Sequence, residues 1–170
     1  VIDHILDDDS NFRIFPADDL GSNTYGYWGI QSIGGYRAVK LRNYQDLMDV
    51  GGFKRPTILN MLNVKYLITK KAVKNPAFTK ITGLEGIYQN LDYLPRAWFV
   101  SKIDNVKNQK ASLNKLMDIS FRPREKAILV DYDGPSPDGD GYINTIDLKT
   151  NQVKINCFSK GGSLLVLLSL

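Results

Sequence analysis

The strongest constraint on the fold is a series of strand-like segments in the last third of the chain. Four runs are rich in apolar and β-branched residues: KAILVDYD, YINTIDLK, QVKINCFS and SLLVLLSL. Turn sequences containing glycine, proline or asparagine separate these runs, and the last turn is Lys160-Gly161-Gly162. Short runs divided by such turns predict antiparallel strands joined by hairpins. We therefore predict a β meander over residues 123–170.

The last of these runs predicts that the β module is incomplete. Leu164 to Leu168 contains five apolar residues in succession, and a run without polar alternation indicates a strand that is buried on both faces. A meander of four strands can cover only one face of such a strand. We therefore expect an incomplete, truncated antiparallel β-sandwich-like module. One way to complete it is a homodimer through the C-terminal strand.

Residues 1–122 mix helical and strand patterns and predict a separate α+β domain. Leu41 to Val50 has apolar residues at helical spacing and ends at Gly51-Gly52, a typical C-cap. Pro56 opens a second helix that ends at Asn63, and Gln109 to Ile119 is a third, amphipathic helix. The predicted strands are NFRIFP, VKYLIT, IYQN and AWFVSKI. The fold class is therefore α+β, with a small mixed sheet and two to three helices.

Composition and charge exclude several classes of protein. With 43% hydrophobic and 24% charged residues the chain has ordinary globular composition, and it has no apolar run near 20 residues. The net charge of +4 is unevenly distributed, because residues 1–20 hold six aspartates and residues 37–80 hold ten Lys or Arg. The basic segment has neither a nucleic-acid motif nor aromatics among clustered basic residues. We predict no nucleic-acid partner and expect the acidic start to fold onto the basic middle.

The sequence contains no recognisable catalytic set. His4 is the only histidine, which excludes a Ser-His-Asp triad and a multi-histidine metal site within this chain. Cys157 is the only cysteine and is expected to be a small buried apolar residue. Neither of the glycine-rich phosphate-binding motifs occurs. We predict no catalytic residue and no cofactor, and we interpret Asp7-Asp8-Asp9 as a solvated run.

The loop from Asp131 to Gly141 is a candidate metal site. Its four aspartates alternate with glycine and proline, and such carboxylates can hold a hard cation such as calcium. The EF-hand register fails because Pro135 occupies the third ligand position. Glycine, proline and aspartate are also typical of a hairpin loop, so both interpretations stay open. The candidate ligands are Asp131, Asp133, Asp138 and Asp140.

The most unusual segment runs from Gly21 to Tyr44 and is rich in aromatic residues, glycine and planar polar side chains. Aromatic rings offer apolar faces, while amides and guanidinium groups donate hydrogen bonds, so the segment can form a surface for a sugar or a lipid headgroup. The alternative is a loop that its aromatic residues pack onto the core. The candidate substrate-binding residues are Tyr25, Tyr27, Trp28, Gln31, Tyr36 and Arg42.

Three segments carry a family resemblance. They are the glycine- and tyrosine-rich element from Tyr25 to Tyr36, LNVKYLIT from Leu62 to Thr69, and LPRAWFV from Leu94 to Val100. In this order they resemble the extracytoplasmic part of YfhO-type bacterial membrane proteins, particularly Bacteroidetes-like members. The resemblance covers roughly Phe12 to the C-terminus. It implies a polytopic parent protein similar to membrane glycosyltransferases that use lipid-phosphate-linked sugars.

The resemblance implies a function and a location. The chain would be a domain on the periplasmic or extracellular side of the cell membrane, accessory to the handling of an acceptor or a lipid-linked sugar. Its partners would be the membrane helices of the parent protein and a glycan or lipid-linked sugar. In such enzymes the acidic residues assigned to catalysis lie between early membrane helices, so none is carried over. The alternatives are a freestanding glycan-binding module with a Tyr/Trp-rich surface, and a hydrolase, for which no catalytic set is visible.

Overall fold

The computed structural model describes residues 1–35, 41–149 and 151–168. The chain divides into two compact units, Val1–Leu41 with Ile58–Pro95, and Arg42–Thr57 with Arg96–Leu170. Helices accompany a four-stranded mixed sheet and several two-stranded sheets, so the predicted α+β class is confirmed. The domain boundary placed after residue 122 stays a prediction.

The first unit contains the four-stranded sheet, in the order β1-β2-β4-β3. Strands β1 and β2 are parallel, whereas β4 is antiparallel to both β2 and β3. The elements are α1 (Ile2–Leu6), β1 (Arg13–Pro16), a 3-10 helix (Thr24–Trp28), β2 (Val64–Ile68), β3 (Phe78–Lys80) and β4 (Ile87–Asn90). The predicted strands β1, β2 and β4 are confirmed. The sequence patterns missed α1 and β3, which are five and three residues long and too short to show a period.

Apolar residues from the helix, the loop and the sheet form the core of the first unit. Ile5, Ile14, Ile30, Tyr66 and Ile87 pack together, and all are buried. They come from α1, β1, the segment after the 3-10 helix, β2 and β4, so the three predicted strands of this unit contribute to one cluster. Burying an aliphatic side chain of this size contributes about 1.5–3 kcal/mol, which ties the N-terminal segment to the sheet.

Helix α2 (Arg42–Asp49) and helix α3 (Pro56–Met61) end where the sequence predicts. Gly51 has φ +77°, and a Cβ on Gly52 would lie 2.6 Å from Leu47 Cδ1, so the C-cap at these glycines is confirmed. Asn63 follows α3 with φ 63°, a left-handed conformation that asparagine tolerates better than most residues. Its buried side-chain amide donates to the carbonyl oxygens of Asn11 at 3.2 Å and Leu94 at 2.8 Å.

The second unit contains α2, α4 and three pairs of strands. Its remaining elements are a 3-10 helix (Gly52–Lys54), β5 (Ala97–Val100), β6 (Lys102–Val106), α4 (Gln109–Leu116), β7 (Lys126–Val130), β8 (Asp140–Lys149), β9 (Gln152–Lys160) and β10 (Leu164–Leu167). The strand predicted over AWFVSKI is divided into β5 and β6. Helix α4 is confirmed, and its N-cap residue Asn108 accepts a hydrogen bond from the Ala111 amide at 2.9 Å.

Strand pairing in this unit differs from that of a meander. Only β8 and β9 form a hairpin between neighbours, whereas β7 is parallel to β6, and β10 is antiparallel to β5. Helix α4 connects β6 to β7, because parallel strands need a crossover connection. The apolar run of β10 therefore has a partner in its own chain, with Leu164 opposite Val100 and Leu167 opposite Ala97. The homodimer through this strand stays a prediction.

Candidate functional site

A short 3-10 helix positions the aromatic residues that the sequence singles out. Gly26 donates its amide to the Asn23 carbonyl at 3.0 Å, and Gly29 donates to Gly26 at the same distance. Gly29 then ends the helix with φ +71°, a conformation that favours glycine. After it, the Ile30 amide returns to the Tyr25 carbonyl at 3.1 Å, so both ends of the aromatic segment have defined backbone contacts.

The three aromatic side chains of this helix differ in their surroundings. Tyr25 is partly buried against the core cluster of the first unit. Burial, together with the charge of Asp19, raises the pKa of its phenol. Tyr27 and Trp28 are 86% and 47% exposed, and their rings meet edge to face with centroids 5.4 Å apart. Tyr25 therefore anchors the helix, while Tyr27 and Trp28 form an exposed aromatic pair, which we call the Tyr27–Trp28 surface.

The other predicted binding residues do not all join this surface. Gln31 is exposed, and its carbonyl accepts the amide of Ile14 in β1 at 2.9 Å. Tyr36 lies outside the described residues. Arg42 is the first residue of α2 and belongs to the second unit. The structure therefore brings Tyr25, Tyr27 and Trp28 together and assigns Arg42 to a different part of the fold.

A charged cluster in the first unit was missed by the sequence analysis. The Asp8 carboxylate lies 2.5 Å from Lys65 Nζ, and the two side chains are only 15% and 12% exposed. Asp8 also accepts hydrogen bonds from the Tyr66 hydroxyl at 2.7 Å and from the Ser10 amide and hydroxyl at 3.0 and 2.6 Å. The prediction that Asp7-Asp8-Asp9 is a solvated run is therefore wrong for Asp8, because other residues of the unit bind its carboxylate. The expected contact between the acidic start and the basic middle is confirmed here.

Aromatic rings surround the Lys65 ammonium group. Its Nζ lies 5.4 Å from the ring centroid of Phe12 and 5.6 Å from those of Tyr66 and Tyr93, within the range of cation–π attraction. Burial acts to raise the pKa of Asp8, but hydrogen bonds from Lys65, Ser10 and Tyr66 outweigh it and hold that pKa well below its usual range. Burial and the bond to Asp8 raise the pKa of Tyr66. Both groups therefore keep their ordinary charge near neutral pH, and Asp8 forms an ion pair with Lys65 inside the unit.

The acidic loop connects β7 to β8, which belong to different sheets, so the interpretation as a hairpin loop is wrong. The Asp138 carboxylate accepts the Gly162 amide at 2.8 Å, and the Asp131 amide donates to the Val106 carbonyl at 2.9 Å. Within residues 1–35, 41–149 and 151–168 no group of three or more His, Cys, Asp or Glu side chains is placed to hold a metal ion. Asp131, Asp133, Asp138 and Asp140 thus form no such group, and we derive no cation binding from them.

The lone histidine, His4, and the lone cysteine, Cys157, lie in different units. His4 contacts Tyr66 edge to face, with ring centroids 5.6 Å apart. Cys157 lies exposed on β9 rather than buried as expected, because β9 belongs to a two-stranded sheet whose residues are mostly exposed. Among the described residues, neither side chain forms a hydrogen bond with a possible base or nucleophile.

Comparisons with known proteins assign no function to this chain, so a functional proposal depends on the geometry. No protein-family model matches this chain, and no curated protein or solved structure matches it either. Among the described residues, no helix combines the length and the apolar character that crossing a membrane requires. The Tyr27–Trp28 surface is therefore judged by its own chemistry.

Proposed function

We propose that this chain binds a glycan through the Tyr27–Trp28 surface, as an extracytoplasmic domain accessory to acceptor or lipid-linked sugar handling by a glycosyltransferase-like membrane protein. The observation that supports the proposal is the exposure of two adjacent aromatic rings, 86% for Tyr27 and 47% for Trp28. Large aromatic side chains that remain in water at one place typically mark a binding surface. An indole ring presents an apolar face to the C–H groups of a sugar and an N–H to its hydroxyls.

A second exposed aromatic pair shows why exposure alone is insufficient. Tyr142 and Phe158 are 59% and 52% exposed, and their rings stack with centroids 5.5 Å apart. They are directly opposite each other in the β8–β9 hairpin, and such cross-strand pairs stabilise a hairpin. Their position therefore has a structural reason. Tyr27 and Trp28 are chain neighbours on a 3-10 helix that Tyr25 already anchors, so their exposure has no corresponding structural role.

The family resemblance supplies the setting of the proposal. The segment that contains the surface is one of the three segments resembling YfhO-type proteins, and the resemblance implies a parent that handles lipid-linked sugars. The alternative, a freestanding glycan-binding module, uses the same surface but has no membrane helices in its chain. The full open reading frame separates the two, because the first requires about a dozen membrane helices upstream of this segment.

Binding can be read at each tryptophan separately. The indole N–H of Trp98 donates to the Pro123 carbonyl at 2.8 Å, and this side chain is 8% exposed. A titration of the labelled chain with neutral trisaccharides of glucose, mannose and N-acetylglucosamine should therefore shift the Trp28 indole signal and leave that of Trp98 unchanged. Covering the exposed half of an indole, about 100 Å², contributes about 2.5 kcal/mol at most. Trp28→Ala should weaken binding at least tenfold.

The matched control is Tyr142→Ala, which also removes an exposed ring of an aromatic pair. Its binding constant should stay within twofold of the unchanged chain. If no trisaccharide shifts the Trp28 signal, or if the two variants weaken binding equally, the proposed surface is contradicted. We also expect the isolated chain to turn over no sugar donor or glycoside, and turnover abolished by a point substitution would contradict its accessory role.

A further inference from the structure

The second unit contains a groove whose polar side chains form no hydrogen bond or ion pair with the residues that the structure describes. Helices α2 and α4 border a cavity of about 630 Å³, which lies within the range of small-molecule sites. The lining residues come from the first two turns of each helix: Arg42, Asn43, Asp46, Gln109, Lys110 and Leu113. Of these residues only Arg42 was predicted to bind a ligand, because the two helices lie 60 residues apart in the chain.

A hydrogen bond joins the segment after α2 to the end of α4. The Arg55 guanidinium, just after the 3-10 helix that follows α2, donates to the carbonyl of Met117 at the end of α4. Leu47, near the C-terminal end of α2, is buried. The hydrogen bond from Arg55 lies at the C-terminal end of α4, whereas the cavity is lined by residues from the first two turns of both helices.

Some other polar side chains of these helices are paired. Gln45 donates to the Asp49 carboxylate at 2.6 Å, and Lys115 lies 3.7 Å from the Asp104 carboxylate. In the described part of the chain, by contrast, the five polar side chains of the groove form no hydrogen bond or ion pair with other residues. Two cations, one carboxylate and two amides therefore line one cavity, and four of these five residues are exposed, so a ligand can reach them from solvent.

The chemistry of these groups defines a ligand class. Arg42 offers a planar fork and Lys110 a point charge, and both match a phosphate or carboxylate group. Asp46 is a hydrogen-bond acceptor that repels a bare anion but binds hydroxyl groups, while Asn43 and Gln109 can both donate and accept. A ligand that satisfies all five side chains therefore carries both an oxyanion and several hydroxyls. We propose that the groove between α2 and α4 binds an acidic saccharide of one or two rings, which carries a carboxylate or a phosphate.

The groove lies in the second unit and the Tyr27–Trp28 surface in the first, so the two proposals rest on different residues. Each can be tested in one titration of the labelled 170-residue chain. Glucose 6-phosphate and glucuronate should produce saturable shifts in the amides of residues 42–46 and 109–113. Glucose and inorganic phosphate should bind at least tenfold more weakly, since each supplies only part of the required chemistry. The two acidic sugars also distinguish a phosphate from a carboxylate as the preferred anion.

A charge-matched pair of variants separates a site from general attraction to a basic protein. Arg42→Gln with Lys110→Gln should weaken binding of the acidic sugars at least tenfold. Lys154→Gln with Lys160→Gln removes the same charge from exposed residues of β9 and should change binding less than twofold. Circular dichroism of both variants checks that folding is retained, as expected for exposed side chains.

Asp46→Asn tests whether hydroxyls are recognised as well as charge. Removing the carboxylate should strengthen binding of inorganic phosphate, while the sugar phosphate loses a hydrogen-bond acceptor, so its preference over phosphate should fall. The proposal is overturned if phosphate binds as tightly as glucose 6-phosphate, if both double variants lose affinity equally, or if neither acidic sugar shifts the groove amides. A neutral trisaccharide that shifts Trp28 while acidic sugars leave the groove unchanged would contradict the groove alone.

Discussion

Replacing Asp8 by asparagine removes the centre of the charged cluster in the first unit while keeping the size of the side chain. The amide oxygen of asparagine can still accept the two hydrogen bonds from Ser10. Its NH₂ group would face the Tyr66 hydroxyl, which can rotate to accept, and the Lys65 ammonium, which can only donate. The variant therefore leaves one cation, 12% exposed, without its counter-ion.

The magnitude follows from how deeply the pair is buried. Removing one member of a fully buried ion pair costs about 3–5 kcal/mol. Asp8 and Lys65 retain 15% and 12% exposure, and water at their edge reduces the penalty, so Asp8→Asn should destabilise the protein by about 2–3 kcal/mol. Lys65→Met should cost less, because the carboxylate keeps three hydrogen bonds from Ser10 and Tyr66.

Denaturant unfolding at pH 7 measures these differences, with Asp9→Asn as the control. Asp9 is an exposed neighbour, and its replacement should change the free energy of unfolding by less than about 0.5 kcal/mol. Asp8→Asn combined with Lys65→Met should cost less than the sum of the single variants, since the residues are in direct contact. If Asp8→Asn unfolds like Asp9→Asn, or if the double variant is additive, the pair does not stabilise the unit as argued.

The pH dependence of the same difference gives a second test. The pKa of Asp8 is lower in the folded protein than its ordinary value of 3.8, so the folded state favours the ionised carboxylate. Its stabilisation is complete above the ordinary pKa and is lost as the pH falls toward the folded one. The difference between the unchanged protein and Asp8→Asn should therefore persist at pH 5 and shrink only below about pH 4.

Three further predictions concern the backbone and the last strand. Asn63→Ala removes one buried and one partly buried hydrogen bond and places alanine at φ 63°, which it tolerates less well than asparagine. It should lower the free energy of unfolding, measured in urea, by about 3 kcal/mol. Gly52→Ala would bring a Cβ within 3 Å of Leu47, whereas a Cβ on Gly21 meets nothing within 4 Å. Gly52→Ala should therefore lower the melting temperature by several degrees and Gly21→Ala should not. Equal effects would contradict the packing argument. Strand β10 pairs with one described strand only, and Leu167 is 41% exposed. We therefore expect sedimentation to show self-association at micromolar concentration, and Leu167→Lys should abolish it. A monomeric unchanged chain would refute this prediction.

Much of the local structure could be predicted from the sequence. The ends of α2 and α3 follow from residues that tolerate left-handed backbone, Gly51 and Asn63. The helix over α4 follows from the spacing of its apolar residues. These signals depend on neighbouring residues, so one sequence is sufficient to read them.

The candidate sites were only partly predictable. The aromatic segment was identifiable by composition, but which rings are exposed depends on what packs against each of them, and only Tyr25 reaches the core. Arg42 was placed with the aromatic residues because it is near them in the chain. In the structure it lines a groove with residues of α4, and no local pattern relates positions so far apart.

The amino-acid sequence by itself determined the fold class, the positions of most strands and helices, and the absence of a multi-histidine metal site, since these depend on local periodicity, backbone preference and residue content. Tertiary structure decided which strands pair and which charges meet. Strand β10 pairs with β5, Lys65 approaches Asp8, and α2 borders α4. Each contact joins segments separated by more than 50 residues. Such contacts form only when the packing of the whole unit offsets the entropy lost on closing the loop between them.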